Sequence, residues 1–206
     1  LINVDTPLAF FAMLALLRLH HLRERPTSRN YLLAGITIGL ATAAKYTGAY
    51  LLSALVVAHL LRVGAAGSVV RSYASRWFLQ ALLAAGAVFF LANPYILLSP
   101  GELWNDFSFE QYHMGYGHLG LDTSQSAAAF YLLNVLPANL GWALWGICVV
   151  SMAALLIRRD RPAIVTIAFP AIALVILSSW AMRADRYILP LLSPMIVLGS
   201  VGMARG

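Results

Sequence analysis

The basic residues of this chain fall on alternate connections between its apolar stretches. Eleven of its 14 lysines and arginines lie near the end of the first stretch, in the first, third and fifth connections, or after the last stretch: Arg18, Arg23, Arg25, Arg29, Arg62, Arg71, Arg76, Arg158, Arg159, Arg161 and Arg205. The other connections hold three basic residues and six of the eight acids. Loops that face the cytoplasm carry such an excess of Lys and Arg. The pattern predicts a multi-pass membrane protein whose chemistry lies on the outer face.

Composition supports a membrane location. The chain is 61% hydrophobic and 11% charged, whereas soluble domains carry roughly 25% charged residues. The net charge of +6 does not indicate nucleic-acid binding, because the basic residues collect on one side, where they face the cytoplasm and anionic lipid headgroups. The strong preference for Arg over Lys and the abundance of Ala are typical of a GC-rich bacterial genome. We therefore expect the bacterial inner membrane.

Seven apolar stretches predict an all-α, polytopic transmembrane helix bundle with about seven membrane segments. They are Leu8–Leu22, Tyr31–Ala44, Tyr46–Leu61, Trp77–Leu98, Ala127–Ile157, Ala163–Trp180 and Ile188–Met203. We expect residues 1–206 to form a single transmembrane domain with a long outer, periplasmic loop at residues 93–126. Because the chain begins at Leu1 without a Met, we also expect it to be a piece of a larger protein. The lone Cys148 lies in an apolar run, which predicts a small buried residue.

The region from Tyr31 to Leu61 is either one overlong helix or a hairpin of two short helices. At 1.5 Å rise per residue, about 31 residues would run roughly 46 Å. A single crossing would divide the arginines between the two sides of the membrane, whereas a hairpin keeps eleven together. The charge pattern therefore favours a hairpin that turns at Lys45–Gly48.

The stretch Ala127–Ile157 is also too long for one crossing. Pro137, Asn139 and Gly141 predict a break in it, so that the crossing begins at Gly141. We expect the preceding segment, at about residues 127–140, to lie along the membrane interface.

Asp5 stands in Asn-Val-Asp-Thr-Pro, just before the first apolar helix. One interpretation is helix capping, because Asp or Thr before a Pro is a common helix start. The other is a carboxylate at the outer membrane surface that acts as a base or binds a cation. The position alone does not separate them.

The outer loop at residues 93–126 contains no Lys or Arg and carries candidate metal ligands. Glu110 and His113 are three residues apart and would share one face of a helical turn. His118 and Asp122 could complete a site for a divalent metal ion. Because no established metal motif such as H-E-x-x-H is present, no cofactor is certain.

Arg183 and Arg186 are exceptions to the charge pattern on the outer side. They could pair with Asp185 or extend to phospholipid phosphates. The sharper hypothesis is a phosphate clamp, because guanidinium groups bind phosphate oxygens in bidentate fashion. Lys45 at the hairpin turn could add a cation, and Tyr187 adjoins Arg186. We expect Lys45, Arg183, Arg186 and Tyr187 to bind a lipid-linked phosphate.

Five segments together resemble the C-type glycosyltransferase superfamily, in the branch of the protein O-mannosyltransferases and the bacterial lipid A aminoarabinose transferases. They are Asp5–Phe11, Ala34–Leu40, Thr42–Thr47, Tyr112–Gly120 and Arg186–Pro190. The resemblance implies a multi-pass enzyme that moves a sugar from a polyprenyl-phosphate donor to a protein, lipid or glycan acceptor on the periplasmic or lumenal side, usually with inversion at the anomeric carbon.

The resemblance also implies roles for individual residues. Asp5 matches the second acidic position of the family, Lys45 and Arg186 match positions near the lipid phosphate, and His118 matches a region that supplies a metal ligand in some members. The principal catalytic Asp of the family lies in a first outer loop that has no match here. We therefore expect the chain to lack the N-terminal helix and that loop, and to be inactive by itself.

Two other functions fit a membrane protein with these charges. One is a transporter or flippase of a lipid-linked or anionic solute, and the other is a non-catalytic subunit that binds lipid. Transporters usually place charges at mid-membrane and show internal repeats. Here the charges lie at one surface and no repeat is evident, so the enzyme is the favoured interpretation.

Overall fold

The computed structural model describes residues 4–63, 75–117 and 125–205, which are helical and contain no strand. The helices are α1 (Asp5–Glu24), α2 (Ser28–Ala44), α3 (Leu51–Val63), α4 (Arg76–Ala92), α5 (Tyr95–Leu98), α6 (Pro100–Tyr116), α7 (Ala127–Leu140), α8 (Trp142–Ile157), α9 (Arg161–Ser179) and α10 (Leu189–Ala204). Short 3-10 turns occupy Tyr46–Tyr50 and Asp185–Ile188. The predicted all-α class is confirmed for this part of the chain.

By helix length and composition, the described residues contain fewer membrane segments than the sequence predicts. Within the described residues, two helices are long and apolar enough to cross a membrane, namely Arg161–Ser179 and Asp185–Ala204. The bent pair of α7 and α8 would be a third if it forms one span, whereas Tyr46–Arg62 and α4 are shorter apolar helices. The prediction of about seven membrane segments is therefore not confirmed.

Helices α2 and α3 form a hairpin. The Tyr31 hydroxyl in the first turn of α2 is hydrogen-bonded to His59 Nδ1 near the end of α3. Residues 28 positions apart in one straight helix would be about 42 Å apart. At the turn, a Cβ added to Gly48 would lie 2.4 Å from the Ala41 carbonyl carbon, so only a glycine fits against the last turns of α2. The predicted hairpin is confirmed.

The predicted break between α7 and α8 is also present, but only at Gly141. Gly141 has φ +76°, which favours glycine, and the two helices meet at 117°. Pro137 lies inside α7, two residues after the end of a π-helical stretch at Phe130–Val135. Proline lacks a backbone N–H, and its ring clashes with the preceding turn of a regular α-helix. The wider π-helical turn accommodates Pro137. The interfacial position of α7 stays a prediction.

The segment predicted as a long outer loop is largely helical. Helices α5 and α6 occupy residues 95–98 and 100–116. Pro100 begins α6 at a position that favours Pro, and Gly117 ends it with φ +73°. The rest of the predicted loop includes His118 and Asp122, which lie outside the described residues.

Small residues bring α2 and α4 into close contact. A Cβ added to Gly35 would lie 2.2 Å from the Ala81 carbonyl oxygen, and one added to Gly39 would lie 2.6 Å from that of Ala85. Both helices thus present small residues four positions apart, the pattern that lets membrane helices pack backbone to backbone.

Helices α8 and α10 also pack closely through small residues. A Cβ added to Gly202 would lie 2.3 Å from the Ser151 Cβ, and one added to Gly199 would lie 3.0 Å from the Cys148 sulfur. The Ser151 hydroxyl donates to the Gly199 carbonyl over 3.1 Å. Cys148 is fully buried, as predicted.

Helix α1 is at the centre and α4 is at the periphery. The buried face of α1 packs against α2, α3, α9 and α10 through Leu8, Ala12, Ala15, Leu16, Leu19 and Leu22. By contrast, α4 exposes a run of large apolar side chains, namely Leu79, Leu82, Leu83, Phe90 and Leu91. Such a face is unfavourable in water and suits the hydrocarbon of a bilayer.

Most of the described arginines, with the exception of Arg183 and Arg186, collect at one end of the bundle. There, Arg205 of α10 pairs with Asp160 before α9, and Arg62 of α3 donates to the Tyr31 hydroxyl over 2.9 Å. We call this the arginine-rich end. The opposite end contains the start of α1, the turn between α2 and α3, and α6. We call it the site end.

Replacing Gly35 by Ala is expected to lower the free energy of unfolding by about 1–3 kcal/mol, because the new methyl group would overlap the backbone of α4. Thermal unfolding in detergent measures the effect. Gly86→Ala on α4 is the matched control, since nothing lies within 4 Å of its added Cβ. An equal loss of stability in both variants would contradict the close packing.

Candidate functional site

A buried ion pair lies at the site end. Asp5, in the first turn of α1, accepts a hydrogen bond from Lys45 Nζ at 2.7 Å. The Asp5 side chain is 2% exposed and that of Lys45 is 14% exposed. Asp5 follows Val4, the residue at the N-cap position of α1. The negative charge of Asp5 is favourable at a helix N-terminus.

The backbone explains how Lys45 reaches Asp5. Helix α2 ends at Ala44, and Lys45 adopts an extended conformation with φ −160° and ψ 135°. The 3-10 turn at Tyr46–Tyr50 then redirects the chain into α3. Lys45 is thereby the pivot of the hairpin, and its side chain extends toward the start of α1.

Tyr187 covers the ion pair from a third segment of the chain. Its ring centroid lies 4.9 Å from Lys45 Nζ, a distance at which a cation is attracted to the ring. The Arg186 guanidinium carbon lies 5.9 Å from the same centroid. Trp180 packs edge-on against Tyr187 with ring centroids 6.4 Å apart. The structure thus brings together Asp5, Lys45, Arg186 and Tyr187, four residues predicted from the sequence.

Tyr46 links the hairpin turn to α6. Its phenol donates to Glu110 Oε1 at 3.2 Å. Burial, and then the neighbouring Glu110 carboxylate, raise the pKa of the Tyr46 phenol. Tyr46 is therefore a protonated donor at physiological pH, and its bond to Glu110 holds α6 over the turn.

Backbone contacts fasten α6 to the segment before Tyr187. The Met114 carbonyl accepts hydrogen bonds from the amides of Ala181 and Met182, at 3.0 and 3.1 Å. The Tyr187 hydroxyl donates to the Met114 sulfur at 3.9 Å. Because α6 is otherwise largely exposed, these bonds and that of Glu110 determine its position.

Arg183 is directed toward α7. Its guanidinium donates to the Gln125 carbonyl at 2.8 Å and lies 5.9 Å from the Phe130 ring centroid. Arg186 and Asp185 are both exposed. The structure therefore connects Arg186 with Lys45 through Tyr187, and it gives Arg183 a separate set of contacts.

The predicted metal ligands are only partly described. Glu110 is engaged with Tyr46, and the His113 ring stacks on Phe109 with centroids 6.1 Å apart. Within the described ranges, no group of three His, Cys, Asp or Glu side chains could hold a metal ion. His118 and Asp122 lie outside those ranges, so the metal site stays a prediction.

The space beside the ion pair is narrow and largely apolar. A cavity of about 20 Å³ adjoins Lys45 and Tyr187, which is room for a water molecule. Leu8, Phe169 and Leu177 form much of its wall. In such surroundings a hydrogen-bonded ion pair is stronger than in water, and an unpaired charge is costly.

Sequence reasoning missed Tyr46 and Met114. The one sequence signal for Tyr46 is its position in the predicted turn, directly after the candidate residue Lys45. Met114 contributes a backbone carbonyl and a sulfur, and neither produces a pattern in a sequence.

Asp5→Asn and Lys45→Met are each expected to lower the free energy of unfolding by about 3 kcal/mol, because each leaves its buried partner without its opposite charge. The double variant should lose less than the sum of the two. Thermal unfolding in detergent of all four proteins forms a double-mutant cycle. Additive losses would show that the pair contributes no coupling energy.

Comparison with protein families gives a match in the first part of the chain. Residues 1–96 match the family described as dolichyl-phosphate-mannose-protein mannosyltransferase. This range includes Asp5, Lys45 and helices α1 to α4. No curated protein and no solved structure matches the chain. The match makes this part of the chain similar to a family of glycosyltransferases with a lipid-linked sugar donor. It confirms, over residues 1–96, the resemblance to this branch of the C-type glycosyltransferases.

Proposed function

We propose that the protein transfers a sugar from a polyprenyl-phosphate donor to an acceptor protein, lipid or glycan at the periplasmic face of a bacterial inner membrane. The observation that carries the proposal is the cluster of Asp5, Lys45, Arg186 and Tyr187 at the site end. Two of these residues fall in the part of the chain that matches the family. The arginine-rich end then faces the cytoplasm.

The cations of the cluster serve the donor phosphate. As the bond between the sugar and the phosphate oxygen breaks, negative charge develops on the leaving phosphate, and fixed positive groups stabilise it. Arg186 is exposed and can bind the phosphate in bidentate fashion. Lys45 and Arg186 both lie within 6 Å of the Tyr187 ring centroid, at 4.9 and 5.9 Å, so both cations are close to one site. Arg183 adds a positive charge from the side of α7.

Asp5 has two proposed roles. Its pair with Lys45 holds the ammonium group at the edge of the site, which makes Asp5 a positioning residue in the resting protein. Movement of Lys45 toward the donor phosphate would break the 2.7 Å contact with Asp5. The carboxylate would then be available to orient the acceptor hydroxyl or to accept its proton.

Arg186→Ala is expected to lower transfer at least tenfold, because one positive group that stabilises the leaving phosphate is lost. The assay uses the full-length protein in proteoliposomes with a radiolabelled polyprenyl-phosphate sugar, and it follows the label as it leaves the lipid. Arg29→Ala, an exposed residue at the arginine-rich end, is the control and should keep full activity. Equal activity in both variants would remove Arg186 from the site.

Glu102 and Arg29 are expected to lie on opposite sides of the membrane, since they belong to opposite ends of the bundle. We would introduce Glu102→Cys and Arg29→Cys separately in a Cys148→Ser background. A membrane-impermeant thiol reagent should label position 102 in intact spheroplasts, and position 29 only after the membrane is opened. The reverse result would place the site end in the cytoplasm.

A further inference from the structure

A second, larger cavity lies at the site end. Its volume is about 510 Å³, within the range of roughly 300–1,000 Å³ of small-molecule sites. It lies between α6 and the adjoining ends of α2 and α4. Phe89, Leu103 and Phe107 give it an apolar wall.

The polar groups of this cavity are acidic or neutral. Asp106 and Glu110 of α6 supply two carboxylates, and Asn93 and Gln111 supply amides. None of its described lining residues is basic. An anionic group would be repelled here, whereas a neutral or cationic molecule with hydroxyl groups would find acceptors for its hydrogen bonds.

Tyr46 joins the larger cavity to the ion-pair site. Its side chain lines both the cavity beside Lys45 and the cavity beside Asp106. A molecule in the larger cavity therefore lies next to the residue that follows Lys45. The two spaces differ in charge, because one adjoins Lys45 and the other adjoins two carboxylates.

We propose that the larger cavity binds the acceptor, and that Asp106 and Glu110 select a hydroxyl-bearing acceptor that is neutral or cationic near its reacting group. This inference rests on the proposed transferase function. It follows from charge, since the donor phosphate requires cations and the cavity offers carboxylates. The apolar wall binds a hydrophobic face of the acceptor, and the amides and carboxylates accept from its hydroxyl groups.

The test compares two synthetic acceptors that differ by one negative charge near the hydroxyl group. We would measure kcat/KM for each with the full-length protein in proteoliposomes. Asp106→Asn is expected to raise the ratio of anionic to neutral acceptor use about threefold, the effect of one exposed charge pair. Asp106→Lys should raise it further, to about tenfold. Both shifts should shrink at high ionic strength.

Glu102→Gln is the matched control. Glu102 lies one helical turn before Asp106 on α6, carries the same charge, and bonds to Tyr95 outside the cavity. This variant should leave the ratio unchanged. Unchanged ratios in both Asp106 variants, or an equal shift in Glu102→Gln, would overturn the acceptor assignment while transfer itself continues. Absence of transfer to any acceptor by the unmodified protein would instead contradict the proposed function.

Discussion

The site end is organised around the buried pair of Asp5 and Lys45. A charge removed from water must have a partner, so the start of α1 and the end of α2 are constrained to meet. That meeting requires α2 to end at Ala44 and the chain to reverse in the following turn. This turn places Tyr46 within hydrogen-bond distance of Glu110 on α6. Helix α6 is in turn hydrogen-bonded to the segment before Tyr187. Each further contact of the site thus depends on where the pair forms.

Packing against the rest of the bundle gives the pair a fixed frame. In a bilayer, burying apolar side chains between helices gains little free energy, because the lipid is equally apolar. Membrane helices therefore associate through close packing. Gly35 and Gly39 let α2 approach the backbone of α4, while Gly199 and Gly202 do the same for α10 against α8. The outward face of α4 remains apolar toward the bilayer. Gly35 and Gly39 thus fix how closely α2, the helix that ends just before Lys45, packs against α4.

Sequence patterns predicted the features that local chemistry controls. The distribution of arginines predicted the hairpin, and Gly141 predicted the break before α8. The predicted outer loop at residues 93–126 is not confirmed, and its helices at residues 95–98 and 100–116 had no clear periodic sequence signal because their acids and aromatic residues show no helical periodicity of burial. Pro100 and Gly117 at the ends of α6 are its local sequence signals, because Pro favours the first helical position and Gly the position after the last turn. Asp5 and Lys45 were both candidates, yet a contact across 40 residues has no local signal.

The division of charge around Tyr46 has a chemical consequence for the proposed reaction. An inverting transfer requires the acceptor hydroxyl and the leaving phosphate to lie on opposite sides of the anomeric carbon. One side of Tyr46 offers the ammonium of Lys45 with Arg186 nearby, and the other offers the carboxylates of α6. A site with cations on both sides would bind the phosphate in two places and would hold the donor equally well in an unproductive orientation. In the proposed reaction, the acidic lining of the larger cavity would therefore favour one orientation of the donor before any acceptor binds.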